Sequence, residues 1–285
     1  MSWRLLHPSL FFIATLLFAP LSAQERADST AVADTLRAAN ALSQPPIKEH
    51  RWYFGIAGWH NVLDTYLSPY EYTGIGHCLV RRTEKPFRGS GRWHSVFQFS
   101  TNFAYLKAPN SNRREIDAQL SLAYGALHCW HPSPRWRLAA GGLLGIGGGL
   151  TYNTRGGNNP AQGRASAELA LQGVCEYSFT LFRKDFKARV QADVPCLGLA
   201  FSPHYGQSYY EMFGLHHGDR NVRFTYPVNA PSIGLLCSLD FPVSRAVITV
   251  GFRSDVRQSH LGGLKRHAWS NVFVVGFTRR VQRVR

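Results

Sequence analysis

The sequence predicts an all-β protein, an antiparallel transmembrane β-barrel of about ten strands, and three observations predict it. From Arg51 onward, apolar and polar residues alternate with a period of two, the pattern of a strand with two unlike faces. Short turns alternate with longer connections along that stretch, as in barrels with one short-looped and one long-looped end. The one long apolar run unbroken by glycine lies at the start of the chain, where it has the form of an export signal.

Residues 1–23 supply that signal. Arg4 gives a positive n-region, Leu10 to Ala19 an apolar core, and Leu21-Ser22-Ala23 a small-residue cleavage site before Gln24,. The core falls short of the roughly 20 apolar residues a spanning helix needs. Residues 24–50 are polar, rich in Ala and Ser, and end in Pro45-Pro46; they are expected to form a flexible periplasmic leader. Residues 51–285 then form the barrel, and its location is expected to be the outer membrane of a Gram-negative bacterium. The longest later apolar stretch, Leu138 to Leu150, is interrupted by six glycines. Aromatic residues at 13% and charged residues at 17% suit a barrel with an apolar exterior.

Strands are expected near 51–60, 70–82, 93–105, 114–130, 135–152, 164–181, 185–201, 231–242, 245–258 and 267–279, with twelve in all if 221–227 adds a hairpin. Several reach the roughly 9–11 residues needed to cross a membrane at a tilt. Aromatics such as Trp93, Tyr124, Trp130, Trp136 and Trp269 bracket the apolar face. The turns at 131–134, 182–185 and 242–244 are short, 61–69, 106–113, 153–163, 202–230 and 259–266 are longer, and 83–92 is intermediate. With the leader in the periplasm, the longer segments lie at the outer end. Glu168 and Glu176 are expected to pair with Lys187 and Arg189 on the next strand, which gives a lumen filled by its own side chains and not a wide pore.

The formal charge of +15 could mark a nucleic-acid binder, but an exported chain whose aromatics fall at strand spacing excludes that class. Outer-membrane lipid and lipopolysaccharide are the expected partners, with an anionic or sugar ligand at the outer rim. Oligomeric state is not encoded in any pattern here. The five cysteines, Cys78, Cys129, Cys175, Cys196 and Cys237, are odd in number and lack C-x-x-C or zinc spacing,. No metal, cofactor, disulfide framework or catalytic residue is expected.

The distinctive polar and aromatic text lies in the strings DTYLSPYEYTG (64–74), YNTRGGNNP (152–160), FSPHYGQSYYEMF (201–213) and DVRQSH (255–260), with His267 shortly after. In these strings the chain resembles the bacterial exported family known as domain of unknown function 3316, typical of the Bacteroidota, over about residues 51–280. The resemblance implies location and architecture but no activity. Gly156-Gly157 and a basic tail without a terminal aromatic depart from the expected pattern. The candidate ligand or plug residues are Asp64, Tyr66, Arg155, Asn158, Tyr205, Gln207, Ser208, Tyr209, Tyr210, Glu211, Asp255, Arg257 and His267. Loops as long as 202–230 are usually functional or disordered, and its aromatic content argues for a folded plug or lid. Asp64 is expected to cap its own loop. Two alternatives to a surface-facing binding or structural role are a narrow channel and a lipid-modifying hydrolase. The latter would use Ser208 with His204, His260 or His267 and Asp255, because Ser259/His260 and His267/Ser270 diverge along a strand.

Overall fold

A computed structural model describes residues 47–87, 91–109, 112–155, 160–215, 221–243 and 246–282. The signal and most of the leader expected over 1–50 lie outside the described residues, as does Asn158. The strands are β1 (Ile47–Asp64), β2 (Glu71–Pro86), β3 (Trp93–Lys107), β4 (Arg114–Ser133), β5 (Trp136–Asn153), β6 (Ala161–Leu181), β7 (Lys184–Phe201), β8 (Val222–Thr225), β9 (Ser232–Val243), β10 (Ala246–Leu261) and β11 (Leu264–Gln282). Each of β1–β7 pairs antiparallel with the next, β7 pairs with β9, β9 with β10, β10 with β11, and β11 with β1. The sheet closes on itself as a ten-stave antiparallel barrel.

β8 does not add the hairpin that would give twelve strands. Its four residues pair with the top of β7 (Gly198–Phe201), on the edge where β9 pairs lower down (Lys187–Asp193). β8 and β9 are therefore two pieces of one stave. β1 begins at Ile47, so the last residues assigned to the leader are already strand.

The period-two alternation now has a direction. Phe54, Ile75, Phe103, Leu144, Ile146, Leu171, Leu199 and Phe273 are exposed on the outer wall. Arg51, Arg82, Glu84, Asp117, Gln172, Glu176, Arg189 and Asp240 are buried inside. This inversion of the usual distribution leaves the lumen to be satisfied by polar pairing. Near the short-turn end, Trp136 and Tyr177 meet with centroids 4.7 Å apart, and Tyr177, Phe179 and Phe186 continue the outer aromatic belt.

One connection differs from expectation. The segment 259–266 is not a long loop: β10 and β11 stay in register to Leu261↔Leu264, leaving only Gly262-Gly263 as the turn. Both glycines have positive φ, 61° and 81°, which is the geometry of a tight hairpin whose twist matches its strands. A Cβ on Gly263 would meet nothing within 4 Å, so substitution there probes backbone strain alone. Gly263→Val is expected to lower stability by about 1–2 kcal/mol, read as a lower urea midpoint, while Gly263→Asn stays near wild type.

Candidate functional site

The lower half of the lumen, toward the short turns, is filled by a lattice around Glu176. Its carboxylate accepts from Arg189 and lies 3.4 Å from Lys187 Nζ, 3.3 Å from Arg137 Nη1 and 3.9 Å from Arg51 Nη2. Arg51 also reaches Asp240 at 2.6 Å. The expected pairing of Glu176 with Lys187 and Arg189 is thus present, whereas Glu168 pairs with Arg257 instead. Above this lattice, Arg82 on β2 donates across the barrel to Gln172 on β6. Gln172 in turn donates to Asp193, and Gln191 to Gln98 at 2.9 Å. Charges this deeply buried persist only when paired and hydrogen-bonded.

Glu84, His94 and Cys129 in the same region place ligating atoms within 4.8 Å of one another. Arg137 donates to the Glu84 carboxylate and lies 3.1 Å from the Cys129 sulfur. A fixed guanidinium in that position opposes a metal cation. All five cysteines are free thiols.

The upper half is organised at the mouth. Asp64 ends β1, where its side chain accepts from the Tyr66 backbone N–H at 3.2 Å, the expected capping role. It also faces Arg164 at 3.4 Å and Arg266 at 3.8 Å. Arg164 continues to Asp117 at 2.8 Å and Thr151 at 2.6 Å. Asp64, Arg164, Asp117 and Arg266, from four different staves, therefore form a second polar lattice under the rim. Arg164, Arg266 and Asp117 were not among the sequence candidates. Their signal was strand parity alone, since each occupies the inward position of its strand.

Across this mouth lies the segment 202–215. Ser202 N donates to Asn221 O at 2.8 Å, and the chain then crosses to the β1–β2 connection. There the Tyr66 hydroxyl donates to the Gln207 carbonyl at 2.9 Å. Tyr209 fixes the other side: Gly163 N donates to its hydroxyl at 2.6 Å, and that hydroxyl lies 3.3 Å from Gly163 O. Tyr209 also meets Tyr66 edge-on at 6.1 Å between centroids and stacks on Phe213 at 6.2 Å. Ser208 and Glu211 close a capping box, Ser208 N and Oγ donating to the Glu211 carboxylate and Glu211 N to Ser208 Oγ,. The box starts a single π-helical turn, Tyr210–Gly214, whose Met212 is buried at 4% exposure. The segment 202–215 is thus a folded, hydrogen-bonded piece tied to the β1–β2 connection and to the start of β6.

Burial holds the Tyr66 hydroxyl proton first, and then the nearby Tyr209, Asp64 and Glu211 groups, so that its pKa is pushed up from 10.0 to about 12. A raised folded pKa favours the protonated form. The donor therefore stabilises this segment below the ordinary tyrosine range and is lost as pH rises through about 12,. The difference in absorbance titration between wild type and Tyr66→Phe is expected to show one tyrosinate step displaced to that alkaline value.

The structure divides the candidate residues. Asp64, Tyr66, Gln207, Ser208, Tyr209 and Glu211 belong to the mouth and to the segment across it. Tyr205 and Tyr210 lie on the exposed side of that segment, and Arg155 is exposed beyond β5. Asp255 and Arg257 are not rim residues: they sit on β10 facing the lumen, Asp255 against Arg253 at 2.6 Å and Arg257 against Glu168 at 3.1 Å. Arg155 and Arg257 thus do not form one rim site. His267 faces outward beside Trp269 and Glu71, opposite in parity to Ser270, whose hydroxyl is 3.3 Å from His60 Nε2. Ser208 is engaged by Glu211, and neither His60 nor Ser270 lines the lumen cavity.

That cavity, about 250 Å³, lies between the two lattices. Gly145, Gly147 and Gly149 form one wall, because these inward positions of β5 carry no side chain. Arg164, Glu168, Arg253, Asp255 and Arg257 give it a charged lining.

The fold and this interior define a closed ten-stave β-barrel, apolar outside and ion-paired inside. The chain belongs to the family described as Protein of unknown function (DUF3316), whose match extends over residues 9–285. No curated protein matches the chain in sequence. Among solved structures it is similar to the attachment invasion locus protein Ail of Yersinia pestis, crystallised with the heparin analogue sucrose octasulfate (11% identity, 83% of this chain and 99% of that chain, TM-score 0.35). It is also similar to the β domain of the Bordetella autotransporter BrkA (14% identity, 84% and 100%, TM-score 0.40) and to Neisserial surface protein A (8% identity, 83% and 97%, TM-score 0.32).

Proposed function

We propose that the chain is exported by a cleaved signal over residues 1–23 and spans an outer membrane, with the lidded end outward, as a non-conducting barrel with a surface-facing binding or structural role. The inverted wall supports the membrane reading. Apolar side chains outside and paired charges inside suit hydrocarbon around a closed sheet, whose strand edges are paired except beside β7 residues 194–197,. A single observation carries the non-conducting reading: the lumen is crossed at two levels, by the Glu176–Arg189–Arg51 lattice below and by the Tyr66/Tyr209-anchored lid above. Lipid and lipopolysaccharide are the expected surroundings, and Arg155, Tyr205 and Tyr210 are the groups the lid end offers to an anionic or sugar ligand.

Two measurements test this. The outer-membrane fraction is expected to contain the protein in a heat-modifiable form that migrates differently before and after boiling. In planar bilayers the purified protein is expected to give flat traces. No migration shift overturns the membrane barrel, and stable conductance steps overturn the sealed lumen in favour of a channel.

A further inference from the structure

The eighth stave is broken at one level. β8 pairs with β7 at Gly198–Phe201 and β9 pairs with β7 at Lys187–Asp193. Residues 226–231, Tyr-Pro-Val-Asn-Ala-Pro, connect the two pieces as a bulge, and Pro227 and Pro231 cannot donate to any ladder,. On the facing edge, β7 residues 194–197 have no ladder partner in this stave among the described residues. That stretch also contains Pro195, and Cys196 is an extra residue relative to β6, where Leu169↔Leu197 is followed by Ala170↔Pro195.

An unpaired strand edge facing hydrocarbon is costly and is tolerated where it borders a polar space. Here it does so, because the lumen cavity reaches the breach: its lining includes Cys196, Leu197, Tyr226 and Ala230 together with Arg253 and Arg257. Immediately outside runs an apolar groove lined by Leu144, Leu169, Leu199 and Phe224, and groove and cavity share Gly145, Glu168 and Leu197. The inner end is not fully satisfied. Arg253 is 9% exposed, yet its Nη1 has no hydrogen-bond partner. The Arg257–Glu168 pair is the more open one, at 32% and 25% side-chain exposure.

We propose that this breach is a lateral access site for an anionic amphiphile, with its acyl chain in the outer groove and its carboxylate or phosphate head in the cavity on Arg253 and Arg257. The inference rests on the membrane reading above. An arginine with a spare N–H recognises either oxyanion, and the apolar groove ending in a few convergent polar groups is the usual form of a ligand site.

The test uses the full mature chain in lipid nanodiscs, with binding followed by native mass spectrometry. The probes are dodecanoate, dodecyl phosphate, dodecyl maltoside and inorganic phosphate. At least one C12 anion is expected to bind, and to bind at least tenfold more tightly than inorganic phosphate or dodecyl maltoside; the preferred anion identifies the head. The charge-neutral double variant Glu168→Gln/Arg257→Gln is expected to weaken that anion at least tenfold. Gly145→Leu is expected to weaken it as well, because its side chain would grow toward Glu168 Cγ, 3.4 Å from an ideal Cβ. Equal affinity for inorganic phosphate and dodecyl phosphate overturns lateral access, and unchanged anion affinity in the double variant overturns the head site. Each variant is used only if it keeps heat-modifiable migration. Loss of that shift in the wild type counts against the membrane reading itself, whereas insertion without binding overturns this proposal alone.

Discussion

Glu176→Ala is expected to prevent stable assembly of the barrel. The carboxylate is almost fully buried and faces Arg51, Arg137, Lys187 and Arg189. Removing it leaves Arg189 and Lys187 without their carboxylate in a closed lumen, while Arg51 and Arg137 keep Asp240 and Glu84. Breaking a buried pair from one side costs about 3–5 kcal/mol, and here a single anion serves several cations. The expected readout is loss of the heat-modifiable form in the outer-membrane fraction. Arg257→Ala provides the contrast. Its pair with Glu168 opens on the cavity, and partly solvated pairs contribute about 0–1 kcal/mol, so that variant is expected to assemble normally. Normal assembly of both would show that the lower lattice is not what holds the lumen closed.

The second large effect is on access. The double variant Tyr66→Ala/Tyr209→Ala removes the hydrogen bonds to Gln207 and Gly163, the edge contact between the two rings and the stack on Phe213. Hydrogen bonds and aromatic pairs of this kind contribute about 0.5–1.5 kcal/mol each. Together they amount to a shift in the lid's opening equilibrium of at least tenfold. Ser166 lines the cavity beneath. In a Ser166→Cys background, an impermeant maleimide is expected to modify that position at least tenfold faster in the double variant, as measured by peptide mass. Planar-bilayer traces are expected to stay flat, because the Glu176 lattice lies below the cavity. Equal labelling rates would mean that the two tyrosines do not hold the lid.

Much of the architecture follows from local pattern. The alternation around Phe97–Tyr105, Ile116–Tyr124 and Phe186–Ala192 places those strands with only small changes at their ends. The pairing of Glu176 with Arg189 and Lys187 is visible in sequence because a tight turn joins their strands and sets the register. The capping role of Asp64 was legible for the same reason, its partner being two residues away.

Contacts between distant staves were not legible. Arg82 to Gln172, Arg164 to Asp64 and Asp117, and Arg257 to Glu168 join residues that share no turn and no hairpin. Sequence period assigns each to the inner face, but partners across a lumen depend on how ten tilted staves close. The hairpin at Gly262-Gly263 shows the same division. The polar run around it reads as a loop, yet long-range closure keeps β10 and β11 paired to the turn and sends Asp255 and Arg257 inward while His267 points out.

By itself, then, the sequence determined most of the strands and their two faces, because a period of two is a local property of the chain. Only the tertiary structure decided which charges neutralise one another, that 202–215 crosses the mouth, and that the eighth stave is breached beside a charged cavity. Those features arise from circular closure of the sheet, which brings together side chains that no short-range pattern relates.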